Sequence, residues 1–202
     1  MTSVLILGSS SPYRATALRT LGLEFRQISP DVDESPREGE KPDDLALRLA
    51  QKKALYLAQQ YPGAVVIGSD QVGFCDHRLL SKPGTQANAI QSLRQCSGKV
   101  ATFYTALALA RSTPGGEVEI AGDIAVTELK FRSLTPEQIT FYVQQDMPID
   151  AAGAFKAEGL GITLFDYVRA EDPSALIGLP LIALTTRLRD FGMDPLATGA
   201  ER

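Results

Sequence analysis

The feature that most constrains the fold is a short apolar run that leads directly into a carboxylate, Val65-Val66-Ile67-Gly68-Ser69-Asp70. A run of this length bounded by turn residues predicts a buried strand, Val65–Ser69. In open α/β sheets, ligands bind beyond the carboxyl ends of the strands. Asp70 is therefore expected just past a strand end, where a catalytic acid would lie. The alternative is an aspartate that merely ends the strand in a turn.

The rest of the chain first alternates extended and helical patterns and then changes to long β-rich segments. Strands are expected at 4–7, 25–29, 65–69, 100–110, 118–131 and 164–168, and helices at 12–21, 43–60, 86–96, 136–145 and 180–191. Thr85 and Thr135 are the predicted caps of two of these helices. Parallel βα units followed by a long hairpin through Pro114-Gly115-Gly116 predict an α/β fold, with a mixed twisted sheet flanked by helices.

The charge balance argues against a nucleic-acid partner, because the net charge is −4 and nucleic-acid binders usually carry a basic patch. A phosphorylated small molecule is compatible with this balance, since local charge decides its binding. The stretch Met1–Leu7 has no basic region and only a short apolar run, unlike a signal peptide. No stretch approaches the ~20 apolar residues of a membrane span. We therefore expect a cytoplasmic protein with no membrane contact.

Several common catalytic devices are missing from the sequence. The single histidine, His77, lies in a polar turn, which leaves too few histidines for a usual zinc site or a Ser-His-Asp triad. Cys75 and Cys96 fit no ligand or redox spacing and are expected to be free thiols, with one disulfide as the alternative. No P-loop or dinucleotide glycine motif occurs. An enzyme with this sequence would use carboxylates, lysines and arginines, and its metal would be a hard cation such as Mg²⁺.

The segment Gly8–Arg14 lies between a predicted strand and a predicted helix. Ser11 is expected to cap the helix and Pro12 to occupy its first position, which leaves backbone N–H groups free. Such a helix N-terminus binds phosphate, and the Ser9 and Ser11 hydroxyls and Arg14 would add donors. The alternative is an ordinary capped helix with no ligand.

Helical geometry singles out Lys53 in the helix expected at 43–60. With Leu45 at 0° and 100° per residue, the apolar stripe spans roughly 0° to 120°, and Lys53 falls near 80°, inside it. A lysine on an inward face is costly unless it reaches solvent or meets an anion. We therefore predict a ligand or carboxylate partner for Lys53, whereas Lys52 is more simply a solvated charge.

The polar loop 30–42 carries several acids, among them Asp33 and Glu34. Taken alone, an acidic loop is a solvated one. Paired with Asp70, one of these acids could complete an oxygen site for Mg²⁺. Lys82, just before Pro83 in a turn, is unremarkable by itself.

Taken together and in order, these segments resemble the Maf family of nucleoside-triphosphate pyrophosphatases. The resemblance spans about residues 4–191. No single piece is decisive, but their order is specific. The matching pieces are 7-LGSSSPYR-14, 32-VDE-34, 48-RLAQKKA-54, 68-GSDQV-72, 81-SKP-83, 97-SG-98, 152-AGAFKAEG-159 and 177-IGLP-180.

The resemblance implies an inosine-triphosphatase-like fold, one domain of two lobes around a cleft. The sequence itself predicts a disordered tail from about 196 to 202. The resemblance also implies cytoplasmic hydrolysis of a nucleotide between its α and β phosphates. By position, Asp70 matches the family's catalytic acid, while Glu34, Lys53 and Lys82 match its other catalytic-cleft positions. Arg14 matches its phosphate-site arginine. The implied cofactor is Mg²⁺ or Mn²⁺, with Asp70 and Glu34 as candidate ligands, and the family suggests a homodimer.

Three positions are similar to the branch of the family that acts on 7-methyl-GTP: Tyr13, Gln71 and Glu158. The branch acting on dTTP and UTP tends to have arginine, threonine and glutamine there. Methylation at N7 gives guanine a positive charge, which favours an aromatic face and a carboxylate. Glu158 could also accept two hydrogen bonds from the guanine edge. Two departures are Gly8, where the family often has alanine, and Tyr13, where this branch is expected to have tryptophan.

Two alternatives follow from the same resemblance. The first is a dTTP and UTP pyrophosphatase, against which Tyr13, Gln71 and Glu158 argue. The second is a nucleotide-binding regulator, since the family is also associated with inhibition of septum formation. The retention of Asp70 with its neighbouring cleft residues favours catalysis.

Overall fold

The structure is a computed structural model that describes residues 4–113 and 115–197. Residues 1–3, 114 and 198–202 lie outside this description. The predictions that fall on them are the start of the N-terminal segment, the proline of the hairpin turn and most of the tail expected at 196–202.

The described residues form seven strands and five α-helices. The strands are β1 (Leu5–Gly8), β2 (Arg26–Gln27), β3 (Val65–Cys75), β4 (Arg78–Leu80), β5 (Val100–Ser112), β6 (Val118–Phe131) and β7 (Phe165–Ala170). The helices are α1 (Pro12–Arg19), α2 (Pro42–Gln60), α3 (Gln86–Cys96), α4 (Pro136–Asp146) and α5 (Leu181–Asp190). Every expected element is present, although the second strand is shortened to the two residues that pair with β1.

All seven strands belong to one mixed sheet, as the sequence predicted. Its order is β2-β1-β3-β5-β6-β7, with β4 paired to β3. The pairs β1/β2 and β1/β3 are parallel, and the remaining pairs are antiparallel. The long β5–β6 hairpin connects the two halves of the sheet, with ladder partners from Val100↔Lys130 to Ser112↔Val118.

The prediction that Asp70 lies beyond a strand end is wrong, because β3 continues to Cys75. Pairing with β5 along residues 66–75 sustains the strand after the apolar run has ended. On the opposite edge of β3, β1 ends opposite Gly68, and β4 pairs only from Gly73 to Cys75. Among the described strands, none pairs with that edge between Ser69 and Val72. Asp70 therefore lies at a gap in the sheet, beyond the carboxyl end of β1 rather than of its own strand.

Helices cover both faces of the sheet. One core cluster joins α2 to β1, β3 and β5, and another joins α1 and α5 to the other face of the same strands. The third cluster, around Phe103 and Phe131, joins α3 and α4 to the distal half of the sheet. No helix in the described parts of the chain is long and apolar enough to cross a membrane.

Candidate functional site

The gap in the sheet opens into a cleft of about 420 Å³. Its walls come from the start of α1, the loop after β2, the middle of α2 and β3, the segment 150–158 and the loop 176–178. The structure brings together in this cleft all ten site residues expected from the sequence, which are Ser9, Ser11, Tyr13, Arg14, Glu34, Lys53, Asp70, Gln71, Lys82 and Glu158.

At the centre of the cleft, one ammonium group bridges two carboxylates. Lys53 Nζ lies 2.5 Å from Asp70 Oδ1 and 2.8 Å from Glu34 Oε1. The side chains of Lys53 and Asp70 are only 7% and 12% exposed, whereas that of Glu34 is 57% exposed. Lys53 thus lies inside, as its place on the apolar stripe indicated, and its charge is paired rather than isolated. The Lys53–Asp70 pair is thus buried in the protein, and the more exposed Glu34 binds Lys53 from the solvent side.

A glycine allows helix α2 to come close enough for this contact. A Cβ atom on Gly68 would lie 2.1 Å from the carbonyl oxygen of Ala50 and 2.7 Å from the amide nitrogen of Ala54. Only a residue without a side chain fits this approach of helix to strand. Lys53 extends from α2 one position before Ala54, and Asp70 follows two positions after Gly68. The close approach of α2 at Gly68 therefore brings the Lys53 ammonium within reach of the Asp70 carboxylate.

The loop that carries Glu34 is fastened to α2 by two further basic residues. Arg48 binds Glu40 through two hydrogen bonds of 2.5 and 2.7 Å and also donates to the carbonyl of Ser35. The hydrogen bond from Arg48 lowers the pKa of Glu40 to about 2, and the same contact raises the pKa of Arg48. Lys52 Nζ donates to the carbonyl of Asp33 at 2.8 Å. The sequence interpretation of Lys52 as a simply solvated charge was therefore incomplete, because helical phase alone carries no information about a distant loop.

The helix α1 places Arg14 beside this centre. The Ser11 hydroxyl caps the helix by accepting from the Arg14 backbone N–H, and Pro12 begins it, as predicted. Arg14 Nε donates to the carbonyl of Gly178 and Nη1 to the carbonyl of Ser69, each at 2.9 Å. Nη1 also lies 3.3 Å from the Ser9 hydroxyl.

The electrostatic setting of Arg14 follows from these contacts. Burial lowers the pKa of the Arg14 guanidinium below its ordinary value, while the negative charges of Asp70 and Glu34 act in the opposite direction. A guanidinium whose hydration has been replaced by carbonyl oxygens is held in one orientation, which suits recognition of an oxyanion.

The remaining cleft residues are held to different degrees. Gln71 Nε2 donates to Thr105 Oγ1 and to the carbonyls of Ala175 and Leu176, at 2.9 to 3.1 Å. Glu158 and Lys82 are exposed, and within 4–113 and 115–197 neither side chain takes part in an ion pair.

One cleft residue, Lys156, was missed by the sequence interpretation. Its Nζ lies 3.3 Å from Asp150 Oδ1, and its backbone N–H donates to the Tyr142 hydroxyl at 2.9 Å. Burial acts to lower the pKa of Lys156, but hydrogen bonds with Tyr13 and Asp150 outweigh it and the pKa is raised. Its position in a glycine-rich segment gave no periodic signal by which it could have been found.

At its centre, the cleft offers a hard cation two carboxylates, those of Asp70 and Glu34. Within the described residues, no group of three or more His, Cys, Asp or Glu side chains could hold a metal ion. Asp70 and Glu34 both bind Lys53 Nζ and therefore lie near each other. Their carboxylate oxygens are the donors that Mg²⁺ prefers. Mg²⁺ commonly takes one or two protein carboxylates and completes its shell with water and substrate phosphates. Two carboxylates at the cleft centre are compatible with that mode.

Among solved structures, the chain is similar to a HAM1 protein from Coxiella burnetii and to a nucleoside-triphosphatase / dITP/XTP pyrophosphatase from Mycobacterium abscessus. The first is 20% identical, with a TM-score of 0.44 over 64% of this chain and 73% of that chain. The second is 18% identical, with a TM-score of 0.40 over 93% of this chain and 96% of that chain.

The sequence relatives are much more similar. Proteins named 7-methyl-GTP pyrophosphatase from Bordetella avium and Bordetella pertussis are each 52% identical over 192 residues, 95% of this chain. The match covers 95% and 94% of those proteins, respectively. The family model described as Maf-like protein matches residues 4–191, so this chain belongs to the Maf-like family.

Proposed function

We propose that this protein hydrolyses 7-methyl-GTP between its α and β phosphates, releasing 7-methyl-GMP and pyrophosphate. The observation that carries the proposal is the Lys53–Asp70–Glu34 centre, in which a buried ammonium–carboxylate pair and an exposed glutamate line the same cleft. The 52% identity to proteins named for this reaction supports the choice of nucleotide. The enzyme would remove a modified nucleotide from the cellular pool.

Hydrolysis of a phosphoanhydride requires stabilisation of negative charge on the phosphoryl oxygens and on the departing pyrophosphate. Lys53 and Arg14 are already held at the cleft centre, and the exposed Lys82 can swing onto the phosphates as they enter. Ser9 and Ser11, just before α1, can donate their hydroxyl protons to a phosphate oxygen. Positive groups therefore surround the bond to be broken.

Asp70 has one of two roles in this reaction. It either orients and deprotonates the attacking water or helps to hold a divalent metal. Lys53 keeps the Asp70 carboxylate fixed and close to Glu34 in both cases. Mg²⁺ or Mn²⁺ at Asp70 and Glu34 would neutralise charge on the phosphate oxygens.

The base would be selected at the other end of the cleft. Tyr13 offers an aromatic face, on which a cationic ring is favoured over a neutral one. Glu158 supplies an exposed carboxylate that can accept from the guanine edge, and Gln71 presents an amide that Thr105 and the loop 175–176 hold in place. The positive charge of the methylated base makes each of these contacts stronger than with GTP.

Three broader expectations remain predictions: a cytoplasmic location, a homodimer, and the division of a single domain into two lobes. A nucleotide is the partner that the relatives named pyrophosphatase support.

The reaction is tested with purified protein and an Asp70→Ala variant on 7-methyl-GTP, GTP, dTTP, UTP and CTP, with Mg²⁺ or Mn²⁺ present. Pyrophosphate and monophosphate are measured separately. We expect fast release of pyrophosphate from 7-methyl-GTP that depends on Asp70. A preference for dTTP and UTP would keep the reaction and refute the assignment of the base. Binding of nucleotide without turnover would instead favour the regulatory alternative.

A further inference from the structure

A buried carboxylate outside the cleft, Asp172, is bound by three donors. Asp172 is only 6% exposed. Oδ1 accepts from the backbone N–H and the hydroxyl of Ser174 at 3.1 and 2.5 Å, and Oδ2 accepts from the backbone N–H of Ile182 at 2.8 Å. The Ser174 hydroxyl accepts in turn from the backbone N–H of Leu181 at 2.7 Å. Asp172 does not line the cleft.

These contacts cap α5 from a distance. The residue before the helix is Pro180, whose side chain makes no capping hydrogen bond. The first two N–H groups of the helix, of Leu181 and Ile182, are satisfied by Ser174 and Asp172 instead. A carboxylate is favoured at this end because of the helix dipole and the unpaired N–H groups. The chain from Asp172 to Ile182 is thus closed into a loop whose two ends are fastened together.

The closed loop presents its backbone carbonyls to the cleft wall. The carbonyl of Gly178 accepts from Arg14 Nε at 2.9 Å and from the Ser69 hydroxyl at 2.8 Å. Gly178 has a φ of 105°, a conformation that L side chains rarely adopt, and a Cβ there would lie 3.1 Å from Arg14 Nε. The orientation of the Arg14 guanidinium therefore depends on where this loop holds one carbonyl oxygen.

We propose that Asp172 is a positioning residue of the nucleotide site: by tying Ser174 to the start of α5, it fixes the Gly178 carbonyl and through it the phosphate-binding orientation of Arg14. This inference rests on the proposed function, since it concerns the same reaction. Gln71 also donates to this loop but has a second anchor in Thr105, so its position depends less on Asp172. Asp172 is not among the residues that line the cleft, so we expect it to touch neither substrate nor reacting atoms.

The test replaces Asp172 with asparagine, which keeps the shape of the side chain but replaces one of its two acceptor oxygens with a donor. Nδ2 cannot accept from the Ile182 N–H, so the loop loses one fastening. We expect kcat/KM for 7-methyl-GTP to fall roughly 10- to 100-fold, because small displacements of a binding group have effects of this size. Asp123→Asn is the matched control: Asp123 binds Arg187 of the same helix through hydrogen bonds of 2.6 and 2.9 Å and holds no cleft loop. Its kcat/KM should stay unchanged.

A double-mutant cycle separates positioning from general loss of structure. Arg14→Ala is combined with Asp172→Asn, and kcat/KM is measured for all four proteins. If Asp172 acts through Arg14, its substitution should cost little once Arg14 is gone. If the two effects multiply, Asp172 is only structural and the proposal is overturned. Ser174→Ala, a milder change of the same fastening, replaces Asp172→Asn if that variant does not fold and should act in the same direction.

The wild-type assay and the cycle fail in different ways. Turnover of 7-methyl-GTP by the wild type, with Asp172→Asn and Ser174→Ala both indistinguishable from Asp123→Asn, would refute the inference and leave the proposed function intact. If the wild type binds nucleotide without hydrolysing it, the proposed function is lost, and the same cycle measured on Kd decides the inference. A protein that neither binds nor hydrolyses any nucleotide overturns both.

Discussion

The two ends of the cleft are built in different ways. At one end, Lys53 and Asp70 come from the buried face of a helix and the middle of a strand, and their charges are paired within 2.5 Å. At the other end, where the base is proposed to bind, Glu158 is exposed and belongs to a connecting segment, and Tyr13 lies at the first turn of α1. The charged groups of the first end are in place before the substrate arrives, whereas the exposed side chains of the second end find their partner only when the substrate binds.

This difference suits the two tasks of the enzyme. Charge stabilisation works best with groups that need no rearrangement during the reaction. Recognition of the base requires free donors and acceptors, which exposed side chains retain until a ligand displaces water. We therefore expect substitutions at the anchored end to lower turnover of every nucleotide, and substitutions at the open end to change the choice among nucleotides.

The largest effect should come from Asp70→Ala. Loss of the carboxylate removes either the base or a metal ligand and takes from the buried Lys53 the closer of its two carboxylate partners, Asp70 at 2.5 Å and Glu34 at 2.8 Å. We expect kcat to fall by about 10²–10⁴-fold for every nucleotide that is turned over. Single-turnover kinetics would measure the drop, and circular dichroism would establish that the variant is folded. A folded variant with kcat within a factor of a few of wild type would remove Asp70 from the chemistry.

A smaller but broad effect should follow from Gly68→Ala. The added methyl group meets the α2 backbone at 2.1 Å, so helix and strand must separate. Overpacking of this kind costs roughly 1–3 kcal/mol of stability, and the Lys53–Asp70 distance should grow with it. Denaturant unfolding and kcat would both be measured.

The matched control for Gly68 is Gly8→Ala on the neighbouring strand. Gly8 pairs directly with Gly68, and its added Cβ would meet the nearest atoms at 3.1 Å. A contact of that length needs a shift of only a few tenths of an ångström. Equal losses of stability and kcat in Gly68→Ala and Gly8→Ala would contradict the view that the approach of α2 sets the Lys53–Asp70 distance.

The smallest effect concerns the loop that carries Glu34, and it depends on pH. The pKa of Glu40 is lowered from 4.5 to about 2 by Arg48, so the folded state favours the ionised form. The stabilisation is complete above pH 4.5 and is lost as the pH falls toward about 2. In Glu40→Gln this contribution is absent at every pH. The difference in melting temperature between wild type and variant should therefore shrink on acidification, and a constant difference would show that the Arg48 contact does not stabilise the folded protein.

Local signals predicted the elements well. Ser11, Thr85 and Thr135 cap their helices as expected, and the β5–β6 hairpin forms with the anticipated pairing. Lys53 was identified because helical phase is a property of a single segment. Family resemblance, rather than periodicity, brought Glu34 and Lys82 into the predicted site.

Contacts between distant segments could not be predicted in the same way. The length of β3 depends on β5, which begins 25 positions after β3 ends. The partner of Lys52 is a backbone carbonyl, which no sequence pattern marks. Asp172 caps α5 by accepting from the N–H of Ile182, ten residues further along the chain. The usual capping position holds Pro180, so the sequence next to the helix does not indicate how it is capped.

The division between the two ends is tested most directly by Glu158→Gln, a change that removes a charge and keeps the shape. The quantity to measure is kcat/KM for 7-methyl-GTP divided by kcat/KM for GTP, in the variant and the wild type. We predict that this ratio falls roughly tenfold, because a charged acceptor opposite a cationic base is replaced by a neutral one, while kcat on GTP is kept. An unchanged ratio, or an equal loss of activity on both nucleotides, would contradict the assignment of base selection to the open end.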